Sequence, residues 1–578
     1  MFESQYQIIS ETWQAFERNL CRLLFYIGYQ NVRLVGQTGD HGADVTATKI
    51  TPTGKKRWLF QAKHWKKPVG ETVVQETLDA TYEYEASIPV IVSASGFEST
   101  VKTHQKALIA TGIPLQLWDS EKLVDMTKKL PNTYTNTRKP RPYQEPAINE
   151  IVSTYLMKQD NRALVVMATG LGKTFVAAES VRRIRENNKC NVLVCAHTND
   201  LVYQLERAFW PFLKPSETTL IWNSYEHPTM EQLETADFTF ACVDSVSSWI
   251  QAGHRLPEYG IFLIDECHHV GSKMYDRIFE ELNAGKTNGS FALGLTATPW
   301  RPDEADITEY FGFPRVSIDM VMGLKNGYLA NVDYRMFTDN IDWEALRNIQ
   351  GKSFTPKQIN RTLFINQWDD SVVYKLREVW NEQSTPRAIV FCGTIEHAII
   401  MRDKINSLGF CKAEAMYSGS SCNEFEPMSQ YKRNRILSDF AEGLVNVVCA
   451  VDIFNEGIDV PDVNILVFQR VTHSRRIFIQ QLGRGLRISE GKDKVIVLDF
   501  VSDIRRFAAG ISLKDALAEK GTTRINLPNK VTFMKVGGDD PKTESFLRQW
   551  LDDVVAIEDS DDDASILKFP PSELGGRL

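Results

Sequence analysis

The sequence predicts a multidomain α/β chain built largely on parallel sheets, and three observations lead there. Its 578 residues exceed what a single core holds, so several domains are expected. From residue 141 to about 499, short Val/Ile/Leu-rich runs alternate with helical patterns. Runs that are apolar on both faces and separated by helices signify sheets covered on both sides. The run 163–167 also leads straight into a Gly-rich turn and a helix from Lys173, a strand–turn–helix unit of the kind that binds phosphate.

The elements follow in order. Residues 1–130 read as helix, strands, helix and strand, and form the first domain. Residues 131–140, polar and bounded by Pro131 and Pro140, read as a linker. Beyond it the apolar runs at 163–166, 192–195, 238–243 and 261–264 belong to one parallel-sheet domain, 141–320. Those at 388–391, 447–450, 465–468 and 495–498 belong to a second, 321–505. Residues 506–578 carry a short amphipathic stripe, Phe546, Leu547, Trp550, Leu551 and Val554, and an acidic run at 559–563.

Composition narrows the class. A hydrophobic fraction of 43% with 24% charged residues is ordinary for a soluble globular protein. No apolar run reaches the ~18 residues of a membrane span. The amino terminus has no basic region followed by an apolar one, and the nine cysteines show no metal-ligand spacing. A reduced, cytoplasmic protein without structural zinc or a membrane partner is expected. The net charge of −8 is partitioned. Between Val45 and Gly70 there is no acid, but there are Lys49, Lys55, Lys56, Arg57, Lys63, Lys66 and Lys67, a candidate nucleic-acid surface.

Four motifs carry the chemistry. In Met167-Ala168-Thr169-Gly170-Leu171-Gly172-Lys173-Thr174, the turn aims backbone N–H groups at phosphates. Lys173 reaches the β- and γ-phosphates and Thr174 holds Mg²⁺. Met167 occupies the place of the first glycine of that pattern. The apolar run 261–264 delivers Asp265, for Mg²⁺, and Glu266, to polarise the attacking water. Thr296-Ala297-Thr298 follows. Gln480-Gln481-Leu482-Gly483-Arg484-Gly485-Leu486-Arg487 puts Arg484 and Arg487 three apart on one helical face, ready to reach the γ-phosphate from the second domain.

Residues 141–500 thereby resemble the core of superfamily 2 helicases, closest to the DEAD/DEAH-type motors of restriction enzymes. The resemblance implies two RecA-like parallel-sheet domains that use ATP and Mg²⁺ to move on nucleic acid. It makes Gln144, in Arg141-Pro142-Tyr143-Gln144, the adenine reader. It assigns Cys195-Ala196-His197-Thr198 to strand tracking, and Gly457 and Asp459, in Asn455-Glu456-Gly457-Ile458-Asp459-Val460-Pro461, to coupling ATP with the bound strand. Gly170 and Gly172 complete the phosphate loop.

The first domain carries its own constellation. In Trp58-Leu59-Phe60-Gln61-Ala62-Lys63, alternation puts Gln61 and Lys63 on one face. Asp44 opens the preceding strand. A carboxylate, an amide oxygen and a lysine at strand edges suit Mg²⁺ and a scissile phosphate. Glu17 lies on the apolar stripe Trp13, Phe16, Leu20, Leu23, Leu24 and Ile27, where an acid is costly unless paired or bound to metal. It joins Asp44 and Gln61 as a candidate ligand. The bland alternatives are a turn-capping Asp44, a solvated Lys63 and a Glu17 reaching out to water. His64 and Trp65 extend the strand, either as DNA contacts or as packed aromatics.

This D…QxK pattern over residues 8–125 resembles the Mrr-like branch of the restriction-endonuclease fold. The implied protein is an ATP-dependent DNA helicase or translocase fused to a Mg²⁺-dependent endonuclease. It acts on double-stranded DNA in restriction or antiviral defence, with room for an accessory defence subunit. Two alternatives stand beside it. One is a DNA-repair helicase whose first domain only grips DNA, and the other is an ATP-gated recognition subunit signalling to a separate effector.

Overall fold

The computed structural model describes residues 1–35, 42–158, 160–297, 307–318, 322–323, 326–337, 366–417, 428, 430–451, 462–469, 483, 485–488, 492, 494–500 and 533–534. Arg484, Gly457, Asp459, Thr298, the stripe at 546–554 and the acidic run at 559–563 lie outside them.

Three sheets organise the chain. The first is mixed, in the order β1 (Gln30–Leu34), β2 (Val45–Thr51), β3 (Gly54–Lys63), β4 (Ile88–Ser93), β5 (Gln116–Trp118). β1–β2–β3 is an antiparallel meander, whereas β3, β4 and β5 run parallel. Period-two alternation sorts β3 as expected. Trp58 and Phe60 enter one core with Phe16, Leu20 and Trp118, while Leu59, Gln61 and Lys63 take the other face.

The second sheet contains β6 (Arg162–Met167), β7 (Val192–Ala196), β8 (Thr219–Trp222), β9 (Phe238–Cys242), β10 (Ile261–Ile264), β11 (Phe291–Thr296) and β12 (Pro314–Ile318). Its order is β12-β6-β11-β10-β7-β9-β8, parallel throughout. The third contains β13 (Asn331–Phe337), β14 (Ala388–Phe391), β15 (Ala413–Tyr417), β16 (Val447–Val451), β17 (Ile465–Phe468), β18 (Lys494–Phe500) and β19 (Phe533–Met534). Its order is β15-β16-β14-β17-β18-β13-β19, again parallel. β19 belongs to the segment read as a separate carboxyl-terminal region, yet it pairs with β13 in this sheet. All-parallel sheets need helices on both faces, which is why their strands read as unbroken apolar runs.

The first sheet's domain is pinned to both others. Helix Trp13–Tyr26 buries Arg18 against Glu206 and Glu226, each 3.1 Å away. Arg22 donates to Thr219 Oγ1 and to the carbonyls of Lys214 and Glu217, while Tyr26 donates to the carbonyls of Trp210 and Leu213. Trp210, from the second sheet's domain, packs within the first domain's core, its ring 5.8 Å from Phe25.

On the other side, helix Gln430–Glu442 meets β3. Arg57 lies 2.9 Å from Asp439 and 3.6 Å from Glu442, and donates to Ser438 Oγ at 3.1 Å. Arg435 pairs with Glu83, and Asn434 donates to the Leu34 carbonyl. The segment read as a linker is docked too. Asn136 N–H donates to the Pro211 carbonyl, and the Tyr134 ring takes Arg182 and Lys214 about its face, 5.1 and 5.0 Å from the centroid.

Two readings of the basic stretch need correction. Arg57 is buried between domains rather than displayed, and Lys49 lies over the Tyr29 ring at 4.4 Å and donates to the Ile27 carbonyl. Lys66 and Lys67 remain exposed. β3 ends at Lys63, so His64 and Trp65 do not extend it. His64 packs on Phe16, with ring centroids 5.3 Å apart, and its Nε2 lies 2.6 Å from the Ile8 carbonyl.

Candidate functional sites: a nucleotide cleft and a strand-edge constellation

The cleft forms at the carboxyl edge of the second sheet, where β6, β7, β10 and β11 all end. In open α/β sheets this edge takes ligands because successive helices begin there. After Met167 the loop turns through Gly170 (φ +92°) and Gly172 (φ +85°), left-handed conformations that side chains resist. Helix Lys173–Asn187 starts at once, presenting its N-terminal N–H groups.

A Cβ on Gly172 would stand 2.7 Å from Gln144 Nε2, so the glycine admits Gln144 to the loop. Gln144 and Tyr143 both donate to the Leu171 carbonyl, at 2.8 and 3.1 Å. The residue read as adenine reader therefore braces the phosphate loop itself.

Lys173 is buried, with its Nζ 3.6 Å from Glu266. Thr174, next on the helix, is half-buried. Asp265 is also buried, and its N–H donates to the Cys195 carbonyl of β7. Burial, and then the like charge of Glu266, push its carboxyl up to about 6 against the pull of Lys173. Glu266 adopts φ +50°, a left-handed conformation unusual for glutamate and typical of strain at functional sites.

His268 Nδ1 lies 3.3 Å from Glu266 Oε2 and 3.1 Å from Thr296 Oγ1, joining the acid loop to the end of β11. A cation inside a helix N-terminus, beside a hydroxyl and two acids, suits a phosphate chain with a divalent ion.

The third sheet's domain closes on this loop. A Cβ on Gly170 would come 2.9 Å from the Gly483 carbonyl and 3.6 Å from Arg487 Cγ, and one on Gly483 would come 2.6 Å from Thr169 Cβ. Arg141 donates to the Ile488 carbonyl at 3.4 Å. Arg487 is thus beside the phosphate loop although its residue is largely exposed.

The second constellation lies on the first sheet. Asp44 is half-buried just ahead of β2, where its Oδ2 accepts the Ala62 N–H at 2.6 Å. The structure thereby sets Asp44 against the backbone between Gln61 and Lys63. Gln61 is wholly buried. Its amide oxygen, read as a metal ligand, accepts the Thr77 hydroxyl, and its Nε2 donates to Glu76 Oε2 at 3.1 Å. Lys63 Nζ stands 3.5 Å from the same Glu76 oxygen and 5.5 Å from the Trp65 ring.

Glu17 is half-buried between Phe16 and Arg18. The buried charges of its helix are the two arginines, which the apolar stripe did not reveal. Among the described residues, no group of three or more His, Cys, Asp or Glu side chains is placed to hold a metal ion. Glu76 escaped sequence reading because nothing local marks it. Its only signal is a place on the helix facing β3.

The fold is that of two RecA-like parallel-sheet domains joined to a restriction-endonuclease-like α/β domain. Residues 8–127 match the family model described as restriction endonuclease. Residues 137–301 match that of the type III restriction enzyme res subunit, and residues 371–489 the helicase conserved C-terminal domain. The three matches place a restriction-endonuclease domain ahead of a two-part helicase core along this chain.

It is 27% identical over 378 residues to irc3 of Schizosaccharomyces pombe, named as a mitochondrial ATP-dependent helicase, covering 63% of this chain and 58% of that protein. It is likewise 27% identical over 400 residues to the type I restriction enzyme EcoAI endonuclease subunit of Escherichia coli, covering 64% and 47%. The chain thus spans about half the length of these curated relatives. In fold it is similar to the ATP-dependent type ISP restriction-modification enzyme LlaBIII, with a TM-score of 0.52, 16% identity and coverage of 96% of this chain and 42% of that one.

Proposed function

We propose that this chain couples ATP hydrolysis to movement along double-stranded DNA and cuts that DNA with its amino-terminal domain, in restriction of foreign DNA. The observation that carries the reading is the placement of Gly483 and Arg487 on the phosphate loop while the first domain is fastened to both lobes. Lobe opening and closing in such an arrangement acts on the nuclease domain directly.

In the cleft, Lys173 and the helix N-terminus neutralise the phosphates, and Gln144 supports the loop and reads the base. Thr174 and Asp265 hold the Mg²⁺ that offsets phosphate charge, and Glu266 orients the attacking water. Arg487 and Arg484 stabilise the charge that develops on the γ-phosphate, a contribution typically worth ~10³–10⁵ in rate. Gly457 and Asp459 link that event to the strand. In the first domain, Asp44 is a ligand for Mg²⁺, Lys63 orients the water and stabilises the scissile phosphate, and Gln61 keeps the edge of β3 in place. Glu17, on helix Trp13–Tyr26, is the remaining candidate ligand. The protein acts in the cytoplasm, alone or with an accessory defence subunit. Among the described residues, no helix is long and apolar enough to cross a membrane.

The test is cleavage of linear and circular duplex DNA with Mg²⁺, with and without ATP. Lys63→Ala should abolish cutting and spare ATPase activity, whereas Lys173→Ala or Glu266→Gln should abolish ATP hydrolysis. Equal loss of both activities in a folded Lys63→Ala variant would refute the two-site reading. One observation favours a DNA-repair motor whose first domain only grips DNA: Asp44 spends a carboxylate oxygen on the Ala62 N–H. Absence of metal-dependent nicking by the wild type would select it.

A further inference from the structure

We propose that Glu76 supplies the second negative charge of the nuclease site and holds Lys63 and Gln61 in place, an inference that rests on the nuclease reading above. Glu76 lies on helix Thr72–Glu83 and keeps about half of its side chain exposed. Its Oε2 meets Gln61 Nε2 at 3.1 Å and Lys63 Nζ at 3.5 Å. Residues two apart on one strand face one side of the sheet, so a single helical carboxylate can engage both. The next residue, Thr77, donates its hydroxyl to the other end of the Gln61 amide. The helix thus grips Gln61 at both ends, while Glu76 alone also reaches Lys63.

The charge sum gives Glu76 its role. Asp44 contributes one negative charge, Lys63 one positive charge and Gln61 none, a neutral set with no net pull on a divalent cation. Glu76 makes the set net negative. A charge a few ångströms away changes a divalent cation's affinity by about tenfold or more at the effective dielectric of a half-buried site.

The chain leading to Asp44 is built around the same contact. Gly42 has φ +94°, and a Cβ there would stand 2.7 Å from Gln61 Nε2 and 3.3 Å from Glu76 Cβ. The glycine lets the segment that delivers Asp44 pass directly over the Gln61–Glu76 pair. Glu76 thus brings a carboxylate to Gln61 and Lys63 from the neighbouring helix rather than from the strand.

The experiment compares full-length Glu76→Gln, Glu76→Ala, Glu76→Asp and Lys63→Ala with the wild type in Mn²⁺-dependent duplex cleavage. Calorimetric Mn²⁺ binding is measured in an Asp265→Asn background, so that the nucleotide cleft does not contribute. Glu76→Gln, which keeps a hydrogen-bond acceptor but loses the charge, is expected to weaken Mn²⁺ binding and raise the Mn²⁺ needed for half-maximal cutting by at least about tenfold. It should lower kcat while leaving the KM for DNA and the ATPase activity unchanged, and Glu76→Asp should recover part of the loss. Mn²⁺ binding and cutting at wild-type levels by Glu76→Gln and Glu76→Ala, beside a dead Lys63→Ala, would overturn the inference and leave the nuclease reading standing. Parallel loss of ATPase activity and thermal stability would reduce Glu76 to a folding role and overturn it too. A wild type that neither cuts nor binds Mn²⁺ would remove the nuclease reading and this inference with it.

Discussion

Replacing Arg18 by methionine should release the first sheet's domain from that of the second sheet. Arg18 holds Glu206 and Glu226 at 3.1 Å each, and the three side chains are only 5%, 1% and 7% exposed. Glu206 keeps the Thr219 hydroxyl and Glu226 the Tyr203 hydroxyl, but neither retains a cation from this pair of contacts. Removing one partner of a buried ion pair costs about 3–5 kcal/mol because the other charge stays desolvated. That corresponds to a rise of roughly 10² to 4 × 10³ in the open population of the interface at 1.4 kcal/mol per tenfold. Hydrogen-exchange mass spectrometry reads the population directly, through protection of helices Trp13–Tyr26 and Asn199–Phe209. The triple variant Arg18→Met, Glu206→Gln, Glu226→Gln should regain most of the protection, since no unpaired charge is left. Wild-type protection in Arg18→Met, or a triple variant no better than the single one, would refute the argument from buried charge.

Other outcomes follow from single contacts. Gly483→Ala places a Cβ 2.6 Å from Thr169 Cβ and should hold the lobes apart. Its ATPase kcat is expected to fall at least about tenfold with nucleotide affinity nearly kept, and an unchanged kcat would show that the closed contact plays no part in turnover. Glu11 has its carboxyl pushed up to about 7, chiefly by burial and against the pull of Asn19 and Arg18. Folding therefore favours its protonated form. That contribution is fully present below the unfolded value of 4.5 and is lost as pH rises through about 7. Glu11→Gln should gain about 2–3 kcal/mol on the wild type between pH 5 and pH 8, read from denaturant midpoints. Parallel pH profiles for the two proteins would sink that reasoning.

What the sequence determined by itself is whatever local backbone chemistry imposes. The strands at 261–264, 388–391 and 465–468 were readable because a run buried on both faces must be apolar throughout. Gly170 and Gly172 were readable because a left-handed turn before a helix calls for glycine. Gln61 and Lys63 were placed on one face by the pleat alone. Periodicity says which residues share a face, however, and not what covers that face. Trp13 sits on the apolar stripe yet is 48% exposed. Arg18 and Arg22, on the stripe's flank, are buried because the carboxylates and carbonyls that receive them lie some 190 residues away. Arg57 looked like part of a basic surface until helix Gln430–Glu442 covered it.

Glu76 shows the same division within the first domain's constellation. Nothing in its neighbours distinguishes it from any half-exposed helical acid. Its contact with Gln61 and Lys63 exists because the helix Thr72–Glu83 packs over β3. The closure of Gly483 on Thr169 is likewise a property of two sheets brought together. Backbone geometry and burial act within a few residues, so the sequence carries them. Pairing of charges and apposition of loops act across the folded chain, and tertiary structure alone decides them.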